Sequence, residues 1–128
     1  MTDPDLIEIT QLLNEYFEGL YNADEKLLRK VFHPTANLQS QGLRLTRDDW
    51  LHRVVNRAIP SAINESYSYK VINIDMLGEQ AMAKVECPLL GCFYIDFLSL
   101  LKENRQWRIV NKMYANAPDN YQRSNAGE

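Results

Sequence analysis

The amino-acid sequence predicts an α+β fold, with three N-terminal helices packed on one face of a curved antiparallel sheet. Three observations carry this reading. Apolar residues recur at helical spacing up to about Pro60, whereas period-two alternation governs most of the chain from Ser66 to Tyr114. Helices grouped before strands pack against one sheet and do not form alternating crossover units. The third observation is the hairpin of residues 91–114. Its first arm, GCFYIDFLSLLK, is apolar except for Asp96, Ser99 and the closing lysine; a polar turn, ENRQ, leads into the arm WRIVNKMY.

Alternation places Phe93, Ile95, Phe97 and Leu101 on one face of that first arm, and Cys92, Tyr94, Asp96, Leu98 and Leu100 on the other. Both faces are apolar and both need a cover. The helices supply one. Nothing in the chain supplies the other for Phe93, Ile95 and Phe97, which implies a two-fold homodimer packed back to back.

The helices can be placed from their caps. Asp3 before Pro4 marks the first start, and Ile9, Leu12, Leu13, Tyr16, Phe17 and Leu20 form an apolar stripe to about Tyr21. Asp24 caps a short second helix with Leu27, Leu28, Val31 and Phe32 facing inward, which stops at His33 before a proline. A short strand over 36–40 and a turn at Gly42 precede Thr46, which begins a capping-box-like sequence with Asp49. The third helix then spans Arg47 to about Ala58, with Trp50, Leu51, Val54 and Val55 inward and His52 in solvent. Strands over 66–77 and 80–87 lead to the hairpin, and the tail from about residue 115 has no periodicity and is expected to be loose.

Composition narrows the function. The 128 residues are read as one domain (1–128), large enough for a core without metal or disulfide staples. They are 45% hydrophobic and 24% charged, with 17 acids against 14 scattered bases and a net charge of -3, so neither nucleic acid nor a disordered class is indicated. No apolar stretch would span a bilayer, and Asp3, Asp5 and Glu8 are wrong for a signal peptide, so a cytoplasmic protein is expected. Cys87 and Cys92 flank PLLG; a disulfide is geometrically open if the flanking strands pair, but two buried thiols are expected in a reducing compartment. His33 and His52 stand apart from other ligands, so neither a metal nor a cofactor is expected.

The element order, the segment YNADEKLLRKVFHPTA, the strand YIDFLSLLK and the closing QWRIVNKMY resemble the nuclear transport factor 2-like superfamily. Within it the chain is most similar to small bacterial proteins labelled lumazine-binding or SnoaL-like, relatives of the steroid isomerases. The resemblance covers roughly 7–116 and implies a cone-shaped, cystatin-like roll with an apolar pocket at its open end. It would place Ser40, Trp50, Leu98 and Asn111 on the pocket lining. The isomerase branch pairs a helix tyrosine with a strand aspartic acid in an oxyanion hole, and the matching residues here are Tyr16 in LNEYFEGL and Asp96 in YIDFL. Desolvation among Tyr94, Phe97 and Leu98 would disfavour an ionised carboxyl, and in protonated form Asp96 could donate to an enolate or phenolate beside Tyr16. The structural alternative pairs Asp96 with an arginine, a lysine or a backbone donor and makes Tyr16 a core aromatic.

The sequence departs from that branch at its general base. The matching segment is ANLQSQG, with Ser40, or Gln39 if the register slips, where the carboxylate should be. Neither side chain abstracts a carbon-bound proton near neutral pH. The expected function is therefore binding of a planar or carbonyl-containing small molecule without turnover. The alternatives are a cyclase, isomerase or dehydratase acting through Tyr16 and Asp96, or a scaffold whose dimer surface is the whole function.

Overall fold

The computed structural model describes residues 3–123. Helix α1 (Pro4–Asn22) starts where expected, with the Asp3 carboxylate accepting from Asp5 N at 2.8 Å and proline in the first turn. It buries one stripe, from Ile9 through Tyr16 to Leu20. Helix α2 (Glu25–Val31) is capped by Asp24 and lies so close to α1 that a Cβ on Gly19 would meet Leu28 Cδ2 at 2.5 Å. Glycine is required there by space. Helix α3 (Arg47–Val55) is capped by Thr46, whose hydroxyl accepts from Asp49 N at 3.1 Å. It ends three residues before Ala58, and one 3-10 turn over Pro60–Ile63 follows.

The described residues also form six strands: β1 (Phe32–Ser40), β2 (Leu43–Thr46), β3 (Lys70–Leu77), β4 (Gln80–Leu89), β5 (Cys92–Glu103) and β6 (Gln106–Asn116). They form one sheet in the order β2-β1-β6-β5-β4-β3. All neighbours are antiparallel except β1 and β6, which run parallel. Strand β1 begins at Phe32, four residues earlier than its polar start suggested, because Phe32, Ala36 and Leu38 are all buried against the helices. Among the described residues no helix is long and apolar enough to cross a membrane.

The concave face of the sheet holds the core. Ala81, Ala83, Val85 and Cys87 on β4 and Asp96, Leu98 and Leu100 on β5 face the helices, as alternation predicts. Strand β6 breaks the rule once. Its register against β5 shifts between Ser99 opposite Asn111 and Leu100 opposite Ile109, which leaves Val110 as an extra residue. Trp107 and Ile109 point inward before this bulge; after it Lys112 is the buried residue and Asn111 is not. A one-residue shift exchanges the two faces of everything that follows.

Two expectations are corrected on the convex face. Residues 115–123 are docked: β6 runs to Asn116, Ala117 N donates to Phe93 O at 2.8 Å, and Tyr121 Oη donates to Glu86 Oε2 at 2.8 Å. The Tyr121 ring and the Arg123 guanidinium cover Phe93, so the chain does provide part of the missing cover. Met82, Phe97, Leu101 and Met113 stay exposed beyond it. The remainder of the expected loose tail, 124–128, lies outside the described residues. Cys87 pairs across the hairpin with Tyr94 and Cys92 with Leu89, so the two thiols are not cross-strand partners, and both are free.

Candidate functional site

The structure brings Tyr16 and Asp96 together. Tyr16 sits in the middle of the buried stripe of α1, and Asp96 at the centre of β5, between Val85 and Tyr114 on the neighbouring strands. The Tyr16 hydroxyl donates to Asp96 Oδ2 at 2.6 Å, and both side chains are buried. The Cys87 thiol reaches the same oxygen at 3.3 Å. Burial and the neighbouring Asp96 push both donors' pKa values well above their ordinary range, so each keeps its proton.

The residue that sequence reasoning missed is Lys112. The β6 bulge turns it inward, where it is 5% exposed, and its Nζ lies 4.0 Å from Asp96 Oδ2. Aromatic rings surround it: Trp50 at 4.3 Å, Tyr114 at 4.9 Å and Tyr16 at 5.3 Å from ring centre to Nζ. Such a cage stabilises a cation that has lost its water. Burial lowers the Lys112 pKa, and the Asp96 charge opposes that fall. Strict alternation from Trp107 and Ile109 would have put Asn111 here. The adjacent apolar pair Ile109–Val110 was the one sequence signal of the bulge.

These groups form one wall of a cavity of about 140 Å³ between α1, α3 and strands β4 to β6. Leu20, Trp50 and Leu89 supply apolar surface, while Arg53 and Arg57 line it from α3 and the segment after it. Of the residues expected to line the pocket, Trp50 does so. Leu98 is fully buried in the core beside it, on the same sheet face. Ser40 and Gln39 instead line a hollow of about 520 Å³ on the convex face, together with Phe97 and Met113. Asn111 also lies on that side and accepts a hydrogen bond from Gln39 Nε2. His33 and His52 lie outside the cavity, and His52 is exposed beside Asn56.

Chemically, Asp96 acts as an acceptor. Two donors and a cation converge on Oδ2, the arrangement that suits a carboxylate. The expected oxyanion pair is thus engaged with itself, and the Tyr16 proton points at Asp96 and not at the open space.

Solved structures share this architecture. A nuclear transport factor 2-like protein of unknown function from Silicibacter pomeroyi DSS-3 is 25% identical, with a TM-score of 0.73 over 91% of this chain and 100% of its own. One from Shewanella baltica OS155, also of unknown function, is 24% identical with a TM-score of 0.78 over 93% of this chain and 100% of its own. A protein with a cystatin-like fold from Nostoc punctiforme PCC 73102 is 13% identical with a TM-score of 0.67, covering 93% of this chain and 96% of its own. The class is therefore the nuclear transport factor 2-like fold. The family described as "Putative lumazine-binding" matches residues 4–115, and the chain belongs to that family. No curated protein matches the chain.

Proposed function

We propose that the chain is a small-molecule-binding protein that holds a single-ring ligand between Trp50 and the Asp96–Lys112 pair, without turnover. The observation that carries this reading is the cavity, with Leu20, Trp50 and Leu89 as apolar wall and Lys112 beside Asp96 as polar wall. Its volume of about 140 Å³ is close to that of cavities that accept benzene, roughly 150 Å³. A bicyclic molecule would extend through the opening. Buried ion pairs are seldom retained for stability alone, since apolar residues of similar volume serve as well. The family description supports ligand binding without identifying the ligand.

Phenol is the probe that tests it. Titration followed by tryptophan fluorescence and NMR is expected to show saturable binding, with shifts confined to the residues around Trp50 and Lys112. Asp96→Leu removes the polar anchor and should weaken binding by about 1–3 kcal/mol. If neither phenol nor any other single-ring probe binds, the reading is overturned. Mass spectrometry of the denatured, freshly purified protein would name a co-purifying occupant directly.

A second reading, a cyclase, isomerase or dehydratase, has one specific observation in its favour. Lys112 is a titratable group on the cavity wall, as Ser40 and Gln39 are not, and burial lowers its pKa. In that reading Lys112 takes a proton from a carbon next to a ligand carbonyl, and the Tyr16–Asp96 unit orients it. Deuterium exchange at that carbon, abolished by Lys112→Met, distinguishes an enzyme from a binding protein.

The convex face supports a homodimer. Phe97 and Met113 are exposed at the hollow of about 520 Å³, and Met82 and Leu101 at a second one of about 530 Å³, apolar surface of the kind that marks a partner site. A second copy, packed about a two-fold axis, is the simplest cover.

A further inference from the structure

Arg57 is a cation without a partner. Its Nη2 is buried and makes no hydrogen bond, and among the described residues Arg57 enters no ion pair. Burial lowers its pKa, but a guanidinium keeps its charge. The cavity wall therefore holds two inward cations, Arg57 and Lys112, and one carboxylate, Asp96. A third cation, Arg53, is exposed and screened by solvent. Arg57 is half-buried, so water covers part of its charge, while its buried Nη2 is left without an acceptor.

We infer that the ligand of this cavity is a small planar monoanion, of the aromatic carboxylate class, with its carboxylate on the Arg57 guanidinium and its ring beside Trp50. This deepens, and rests on, the binding function proposed above. A planar guanidinium matches a carboxylate with two parallel hydrogen bonds, which a lysine cannot do. Asp96 fixes the charge at one: a dianion such as a phosphate monoester would face repulsion from its carboxylate in the same small cavity. The volume of about 140 Å³ limits the remainder of the ligand to one ring.

Benzoate and benzamide have nearly the same shape and differ in charge, so their comparison tests the inference on the full chain. At low ionic strength benzoate is expected to bind at least tenfold more tightly than benzamide. Arg57→Gln should reduce benzoate to the benzamide level, and Arg57→Lys should fall between. Benzoate binding no more tightly than benzamide, or full preference retained in Arg57→Gln, overturns the inference and leaves the binding function standing. If benzoate, benzamide and phenol all fail to bind, the binding function falls and takes this inference with it. Should Arg57→Gln not fold, Arg57→Lys decides the matter alone, since an unchanged benzoate preference in it would refute bidentate pairing.

Discussion

Lys112 Nζ stands 4.0 Å from Asp96 Oδ2 with both side chains buried, and the aromatic faces of Trp50, Tyr114 and Tyr16 close around the ammonium. The separation is that of an ion pair held slightly apart, with the rings supplying part of what water would have given. Among the described residues Asp96 is the one carboxylate on the cavity wall, so the two charges depend on each other.

Removing Lys112 should expose that dependence. Lys112→Met leaves Asp96 buried without its counter-ion and is expected to cost about 3 kcal/mol of stability in urea unfolding. The double variant Lys112→Met/Asp96→Leu should recover part of the loss, because both charges go together while the buried Tyr16 hydroxyl is left without its acceptor. A single variant as stable as the parent would show that the pair is not ionised.

Alkaline pH should destabilise the fold from about pH 9 upward. Cys87 and Tyr16 have folded pKa values raised above their ordinary 9.0 and 10.0. Their stabilising contribution is complete below those values and is lost as pH rises through the folded ones, since the unfolded chain then holds fewer protons. Lys112, lowered from 10.5, acts in the opposite sense and partly offsets the fall as that value is approached. Urea midpoints between pH 8 and 11 should therefore decline, and Cys87→Ala should delay the onset toward pH 10. Identical profiles for parent and variant would remove Cys87 from the account.

Gly19→Ala tests the closeness of α1 and α2. The added methyl would lie 2.5 Å from Leu28 Cδ2 and 2.6 Å from its Cγ, and Leu28 is fully buried with little room to yield. Overpacking of this kind costs about 1–3 kcal/mol, against which alanine regains up to about 1 kcal/mol of helix propensity. A net fall in melting temperature is expected, smaller when Leu28→Ala is also present. A rise would mean that the helices lie further apart.

Analytical ultracentrifugation tests the convex face. At micromolar concentration the protein is expected to sediment at twice its chain mass of 14.9 kDa. Phe97→Asp, at a position 42% exposed, should yield a folded monomer. A monomeric parent would leave the apolar surface to a different partner.

Much of this was legible in the sequence because it depends on local periodicity. The stripe of α1 placed Tyr16 inward, and alternation along β5 placed Asp96 on the face opposite Phe93, Ile95 and Phe97; that the two would meet was implied by the family resemblance. Caps at Asp3, Asp24 and Thr46 fixed where the helices begin, since each satisfies backbone donors within a few residues.

Only the tertiary structure decided the remainder. The parallel pairing of β1 with β6 joins segments far apart in the chain, and no local pattern encodes which edge a strand will choose. The Val110 bulge exchanged Asn111 for Lys112 at the cavity, a one-residue change of register that period-two reasoning cannot register in advance. Arg57 lies beyond the end of α3, where periodicity has stopped, and its place on the cavity wall depends on how the following segment turns. Tyr121 and Arg123 carry no pattern at all, and they are held by Glu86 and Phe93, which become neighbours only after the sheet has formed. Local pattern sets which face a side chain takes; register and long-range packing set what it meets there.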